Sequence, residues 1–221
     1  MPRPAKYDDT ALLDRAYDLL WRDGCDAVSV RDLEAALDLR APSIYRRFHS
    51  RDELVARAVD RYVDRVVAAR VRRHLTGCDD PVEGLRSFFL SALRPAPGEH
   101  VPRGCLLTVT AGQSVVADGR VRRAVERGLD EVGSALAAQV ARAAATGRTV
   151  PGTDVATLAT TLLTAFEGLL VLARHGRTGL AASVDVLLAA CFPGPGPGGS
   201  PAADAGPSPS PAVPSERNTT P

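Results

Sequence analysis

Apolar residues recur at three- and four-residue spacing in block after block of this chain, and no stretch alternates apolar with polar as a half-buried strand does. That period confines the chain to helices packed on helices. Over residues 9–21, Leu12, Leu13, Ala16, Leu19 and Leu20 share one helical face, and Gly24 marks a stop. Ser29, followed three residues later by Asp32, resembles a capping box for a short helix carrying Val30, Leu33 and Leu37. After a break at 38–40, Pro42 stands in the first turn of another short helix that ends near Phe48. Ser50 with Glu53 makes a Ser-x-x-Glu box and opens a long helix with Leu54, Ala58, Tyr62 and Val66 along one face. Five further amphipathic helices are expected over residues 81–93, 104–117, 121–145, 154–174 and 180–192. The fold expected is therefore all-α, with about nine helices.

An apolar fraction of 45% suffices to bury a proper core. The 27 basic and 26 acidic residues nearly cancel, so any functional charge must be local. Cys25, Cys78, Cys105 and Cys191 form no CxxC or Cys/His pattern, which argues against a metal site or a disulfide framework and fits a reducing cytoplasm. Nothing in the sequence calls for a cofactor. The N-terminus has no apolar run that would serve as a signal peptide. Residues 155–172 are the most apolar stretch, but four threonines and Glu167 interrupt them, so they read as a buried helix rather than a membrane span. From Pro193 onward nine of the chain's 17 prolines crowd together with Gly, Ser and Ala, a composition that cannot bury a core. The expected organisation is a small domain over 1–53, a larger one over 54–192 and a disordered tail over 193–221.

The most informative segment runs from Arg40 to Arg51, RAPSIYRRFHSR, in which Arg40, Arg46, Arg47 and Arg51 accompany His49 and no acidic residue intrudes. A short helix with small residues at its start can enter a DNA major groove, with Arg bonding guanine edges or phosphates and Tyr45 donating to a phosphate. The helix capped by Ser29 would cross the backbone and offer its free N–H groups to a phosphate. Charge alone equally allows a solvated basic surface; the spacing of two short helices favours the helix-turn-helix.

The run SVRDLEAALDLRAPSIYRRFHSRDEL, residues 29–54, resembles the DNA-binding domain of the TetR family of bacterial regulators, and the likeness spans roughly residues 8–55. The resemblance implies that the third helix reads double-stranded operator DNA through Arg40, Pro42, Ser43, Tyr45 and Arg46, and that Arg51 takes the place of a phosphate-binding Lys. Two positions depart from the family pattern: Asp38 stands where the turn usually has glycine, and Arg40 where helix three usually opens with Ser or Thr. Asp tolerates left-handed backbone better than most residues, so the turn is expected to survive.

By the same resemblance the remaining chain is a small-molecule-sensing and dimerising domain, and the protein a ligand-responsive repressor that acts as a homodimer. Phe88, Phe89, Cys105, Thr108, Gln113, Phe166, Glu167 and Leu170 are candidate ligand contacts, and each fits a plain core equally well. The helix over 154–174 is apolar almost all round, so a second subunit is expected to cover one side, through Leu158, Leu162 and Leu169 with Val184, Leu187 and Leu188 of the last helix. RGCLLTVTA, residues 103–111, is similar to a helix in family members that respond to reactive compounds, which makes Cys105 a candidate redox or electrophile sensor beside its reading as a small buried apolar side chain. An enzyme built on Cys105 with His74, His100 or His175 finds little support, because there is no phosphate loop, metal spacing or nucleophile elbow. A purely structural helical protein would not need the acid-free basic run.

Overall fold

The computed structural model describes residues 8–193; the expectation of a disordered tail falls on residues beyond them. Within the described residues the chain is helical throughout and has no strand. α1 (Asp9–Asp23), α2 (Val30–Leu37) and α3 (Ala41–Phe48) form a small N-terminal bundle. α4 (Arg51–Tyr62) continues through a π-helical stretch, Val63–Val67, α5 (Ala68–Val71) and a second π-helical stretch, Arg72–Thr76. α6 (Pro81–Ala92), α7 (Leu106–Ala111), a 3-10 turn (Ser114–Ala117), α8 (Gly119–Ala145), α9 (Val155–Arg174) and α10 (Leu180–Cys191) complete the fold. Counting the continuous rod from Arg51 to Thr76 once gives nine helices among the described residues.

Capping chemistry sets the helix starts. The Asp8 carboxylate accepts from the Thr10 amide at 3.0 Å, and the Asp80 carboxylate from Val82 at 2.8 Å ahead of Pro81. At Ser29 the box is reciprocal: the Ser29 amide donates to the Asp32 carboxylate at 2.8 Å, and the Asp32 amide donates to Ser29 Oγ at 3.3 Å. At Ser50 only half of the expected box forms. The Glu53 amide donates to Ser50 Oγ at 3.0 Å, but the Ser50 amide donates to the Phe48 carbonyl at 2.6 Å, and the Glu53 carboxylate turns instead to His49 and Arg120.

The π-helical turns follow from the sequence. Val63, Val67, Val71 and Leu75 repeat every four residues, and on a straight α-helix each such step drifts by about 40°. Widened turns absorb that drift, so that Val63, Val67 and Leu75 stay buried and Val71 packs at the core edge. The rod crosses α8 at Gly128, where an added Cβ would lie 2.7 Å from both Leu107 Cδ1 and Val63 Cγ2. Because α4 packs against both α1 and α8, it belongs to the N-terminal bundle and to the C-terminal domain alike.

The sequence expects one helix over 104–117, but the structure breaks it at Gly112 and Gln113. Gln113 is extended there, φ −114° and ψ 159°, because its side chain is drawn to the end of α1, as described below. Four of the six residues expected at a dimer interface lie in the subunit's own core. Leu158, Leu162, Val184 and Leu188 are sealed inside their own subunit against α8 and α6, and Leu169 and Leu187 are partly buried. The face that α9 and α10 leave uncovered instead carries Val171, Leu172 and Val186. α9 has the length and apolarity to cross a membrane, yet one of its faces already packs on α8.

Candidate nucleic-acid interface

α3 is held so that one face points inward and the other is left bare. Ile44 and Phe48, four residues apart, are fully buried and tie the helix to the bundle core. Asp38 ends α2 in left-handed geometry, φ 53° and ψ 43°, the turn that glycine would otherwise supply. Glu34 of α2 accepts from the Ala41 amide at 2.6 Å, which fixes the first turn of α3 against α2. Sequence periodicity gives no hint of that clamp. With its core face so anchored, α3 presents Arg40, Pro42, Tyr45, Arg46 and His49 to solvent, and Ser43 half-exposed. Tyr45 is 40% exposed, high for an aromatic side chain in a small bundle. No acidic residue lies in the first turn. His49 closes the helix at φ 61° and lies 3.3 Å from Glu53.

Two arginines assigned to this face do not stand on it. Arg47 turns back to pair with Asp9 of α1. Arg51 donates to the carbonyls of Cys25 and, at 3.1 Å, Val28, bracing the loop before α2. Their guanidiniums are therefore spent on holding the bundle together. Ser29 is likewise engaged: its hydroxyl donates to Asp32 at 2.6 Å, and these bonds hold the Asp32 carboxyl below its ordinary range. What α2 offers a phosphate is then its backbone N–H groups together with the exposed Arg31.

Behind the bundle, polar contacts fasten α1 and its following loop to the C-terminal domain. Gln113 Oε1 accepts from the Cys25 amide at 2.7 Å and from Asp26 at 3.3 Å. The Asp26 carboxylate accepts from the Ser114 and Val115 amides at 2.6 and 3.1 Å, which keeps its pKa low. Gly24, at φ 88°, lets Gln113 approach so closely that a Cβ would lie 2.6 Å from its Nε2. From α9, Arg174 donates to the Trp21 carbonyl at 2.9 Å, Arg22 at 3.0 Å and Arg103 at 2.7 Å. Arg103 in turn pairs with Asp18 and Glu99 and stacks over the Trp21 ring, 5.5 Å from its centre. Gln113, expected as a ligand contact, is thus a link between the two domains. Arg174 and Asp26 are links that sequence reasoning did not find, since nothing local marks them.

The other candidate ligand contacts fall into a dense core. Phe88, Phe89 and Phe166 meet with ring centres 4.7–6.3 Å apart, and Leu170 is buried beside them. Thr108 donates to Glu167 Oε2, while Glu167 Oε1 is buried without a partner, and burial raises the Glu167 pKa. The Cys105 thiol is 5% exposed, accepts from the Tyr62 hydroxyl at 3.8 Å and is pushed up to about 11 by burial. At neutral pH it is a protonated thiol, a poor nucleophile. The histidines lie apart from it: His74 contacts Ser87 at 2.7 Å, and His100 and His175 are exposed. A cavity of about 500 Å³ lies away from this cluster, between the end of α6 and the α9–α10 turn.

Residues 12–58 match the family model for bacterial regulatory proteins of the tetR family, and residues 81–183 match that for the tetracyclin repressor-like C-terminal domain. The chain belongs to the TetR family of transcriptional regulators. The HTH-type transcriptional repressor ComR of Escherichia coli (strain K12) is 28% identical over 175 residues, covering 79% of this chain and 83% of ComR. A cysteine mutant of the TetR family transcriptional regulator CifR, solved with 26-bp double-strand operator DNA, superposes with a TM-score of 0.74 at 29% identity, over 85% of this chain and 99% of that one. The reduced form of E. coli NemR shares the fold, with a TM-score of 0.69 at 18% identity over 82% and 94% of the two chains. As in any TetR-family regulator, the helix-turn-helix is the DNA-binding element, and in this regulator it is α2 and α3.

Proposed function

We propose that this TetR-family regulator is a ligand-responsive repressor that works in the cytoplasm as a homodimer, by binding rather than by catalysis. The observation that carries the reading is the solvent face of α3. Arg40, Pro42, Ser43, Tyr45 and Arg46 stand together there without an acid, on a helix clamped by Ile44, Phe48 and Glu34. Two such helices, brought together by a two-fold axis, would enter successive major grooves about 34 Å apart. The operator complex of CifR and the description of ComR as a repressor support the same use of the domain here.

The second subunit would cover the uncovered side of α9 and α10. Val171, Leu172 and Val186 are 42%, 44% and 70% exposed, and the hydroxyls of Thr160, Thr161 and Thr164 turn back onto carbonyls of their own helix, leaving a surface poor in unmet polar groups. The signal between domains would pass along the rod that starts at Ser50, which packs on α1 and α8, and through the grips of Gln113, Asp26 and Arg174. The test is a mobility-shift titration against DNA flanking the protein's own gene, with competitor DNA. Tyr45→Ala and Arg46→Ala are each expected to weaken specific binding by roughly 10- to 100-fold, the worth of a lost phosphate or base contact, without lowering the melting temperature. Undiminished binding by both variants would refute the assignment of α3.

A further inference from the structure

A cleft of about 500 Å³ in the C-terminal domain is bounded by the end of α6, the loop over 94–102 and the α9–α10 turn. That is enough for a small metabolite. Leu90, Leu93, Val101 and Leu180 give it an apolar wall, and Arg94, His100 and Arg177 stand around its rim. No acidic residue lines it. Neither Arg94 nor Arg177 meets a carboxylate among the described residues, so both guanidiniums are available to a guest. A third feature has the same sign. α10 begins at the cavity wall, its N-cap is Gly179, and no side chain caps its first amides.

We infer that this cleft binds a small amphipathic monoanion, a carboxylate with a short apolar body, and that the effector acts there. The second clause rests on reading the chain as ligand-responsive. A neutral apolar guest would leave two guanidiniums and a helix N-terminus unanswered, and a compact polyanion would leave the leucine wall unused. The cleft also adjoins the grips on the N-terminal bundle. Pro102 in its loop precedes Arg103, which pairs with Asp18 and stacks on Trp21. Ala173 in its other wall precedes Arg174, which holds the Trp21 and Arg22 carbonyls. A guest that parts the loop from the end of α9 shifts both arginines against α1 and moves the bundle that carries α3.

Trp21 is the chain's single tryptophan and lies between those two arginines, so its emission reports the event. The full-length, DNA-free protein is titrated with octanoate and, as the neutral control, with octan-1-ol, following Trp21 fluorescence and, in parallel, heat. Octanoate is expected to give a saturable change in both signals, octanol little, and the Arg94→Gln/Arg177→Gln double variant at least tenfold weaker octanoate binding. Both arginines are exposed, so the double variant keeps its melting temperature; should it fail to fold, Arg94→Gln alone carries the test. Equal affinity in the variant, octanol matching octanoate, or no saturable binding below about 10 mM overturns the site. Heat without a Trp21 change overturns its link to α1. Operator binding without octanoate is measured separately, and its absence would sink the repressor reading while leaving the cleft to be judged on the titration.

Discussion

Replacing Arg174 tests how the two domains are joined. Its guanidinium donates to three main-chain carbonyls, two of them, Trp21 and Arg22, in the last turn of α1, where helix geometry leaves acceptors unmet and the dipole favours a cation. The bond to the exposed Arg22 carbonyl is readily replaced by water, so it is discounted. The two part-buried bonds, to Trp21 and Arg103, are charge-assisted at 2.9 and 2.7 Å, and losing them strands acceptors that water reaches poorly. At about 1–1.5 kcal/mol each, Arg174→Ala is expected to cost about 2–3 kcal/mol. With a urea m-value of about 2–3 kcal/mol/M for a chain of this size, the midpoint should fall by about 1 M. Both part-buried bonds leave from Nη1, so Arg174→Lys, which keeps the charge but is shorter and lacks the guanidinium plane that aims them, should fall between. The assay is equilibrium unfolding in urea at fixed protomer concentration, since a dimer's apparent stability depends on it, followed by far-UV circular dichroism and Trp21 emission. In the Ala variant the emission should shift to the red before the dichroism changes, as α1 undocks first. A loss below about 0.5 kcal/mol with coincident transitions would refute the claim that Arg174 fastens the domains.

Because burial pushes the Cys105 thiol from 9.0 up to about 11, its thiolate fraction at neutral pH falls roughly a hundredfold. Native alkylation with iodoacetamide, read by mass spectrometry, should therefore modify Cys105, like the buried Cys25, well after Cys78 and Cys191, and rapid modification would restore the electrophile-sensor reading. Glu167 carries a second expectation, because burial raises its pKa above the ordinary 4.5 and the folded state then holds a proton the unfolded chain has released. The stability this contributes is full below 4.5 and is lost as pH rises through the raised folded value. Glu167→Gln, which keeps the acceptor for Thr108, should flatten the melting temperature across that window and raise it at neutral pH. Parallel curves for the two proteins would contradict the assignment.

The N-terminal bundle was legible because each of its signals is local. Leu12, Ala16 and Leu19 repeat at helical spacing, Ser29 and Asp32 lie three residues apart, Pro42 and Asp38 restrict single backbone positions, and an acid-free run needs only counting. Periodicity equally placed the helices of the C-terminal domain, missing only the break at Gly112, where a side chain bonding 88 residues away overrides the local pattern. The errors share one cause. Arg47 and Arg51 have the right charge for DNA, and whether a guanidinium faces solvent or a distant acceptor depends on Asp9, Cys25 and Val28, which no local window contains. The same limit bears on the expected dimer contacts: an all-apolar helix tells that both faces are covered but not which face its own chain covers, and within this subunit α8 covers the face of α9 that carries Leu158 and Leu162.

The cleft beside α10 was invisible for a further reason. Its basic side chains come from two separate places, Arg94 and His100 in one loop and Arg177 after α9, and each alone reads as an ordinary solvated surface residue. Only the turn between α9 and α10, folded back onto the end of α6, makes neighbours of them. That convergence also separates the two halves of the molecule by kind. The residues proposed to face DNA sit on or beside one short helix and can be found by reading along the chain. A binding site assembled from loop, turn and helix end has no sequence period at all, so it must be found from a structure and tested by the charge it selects.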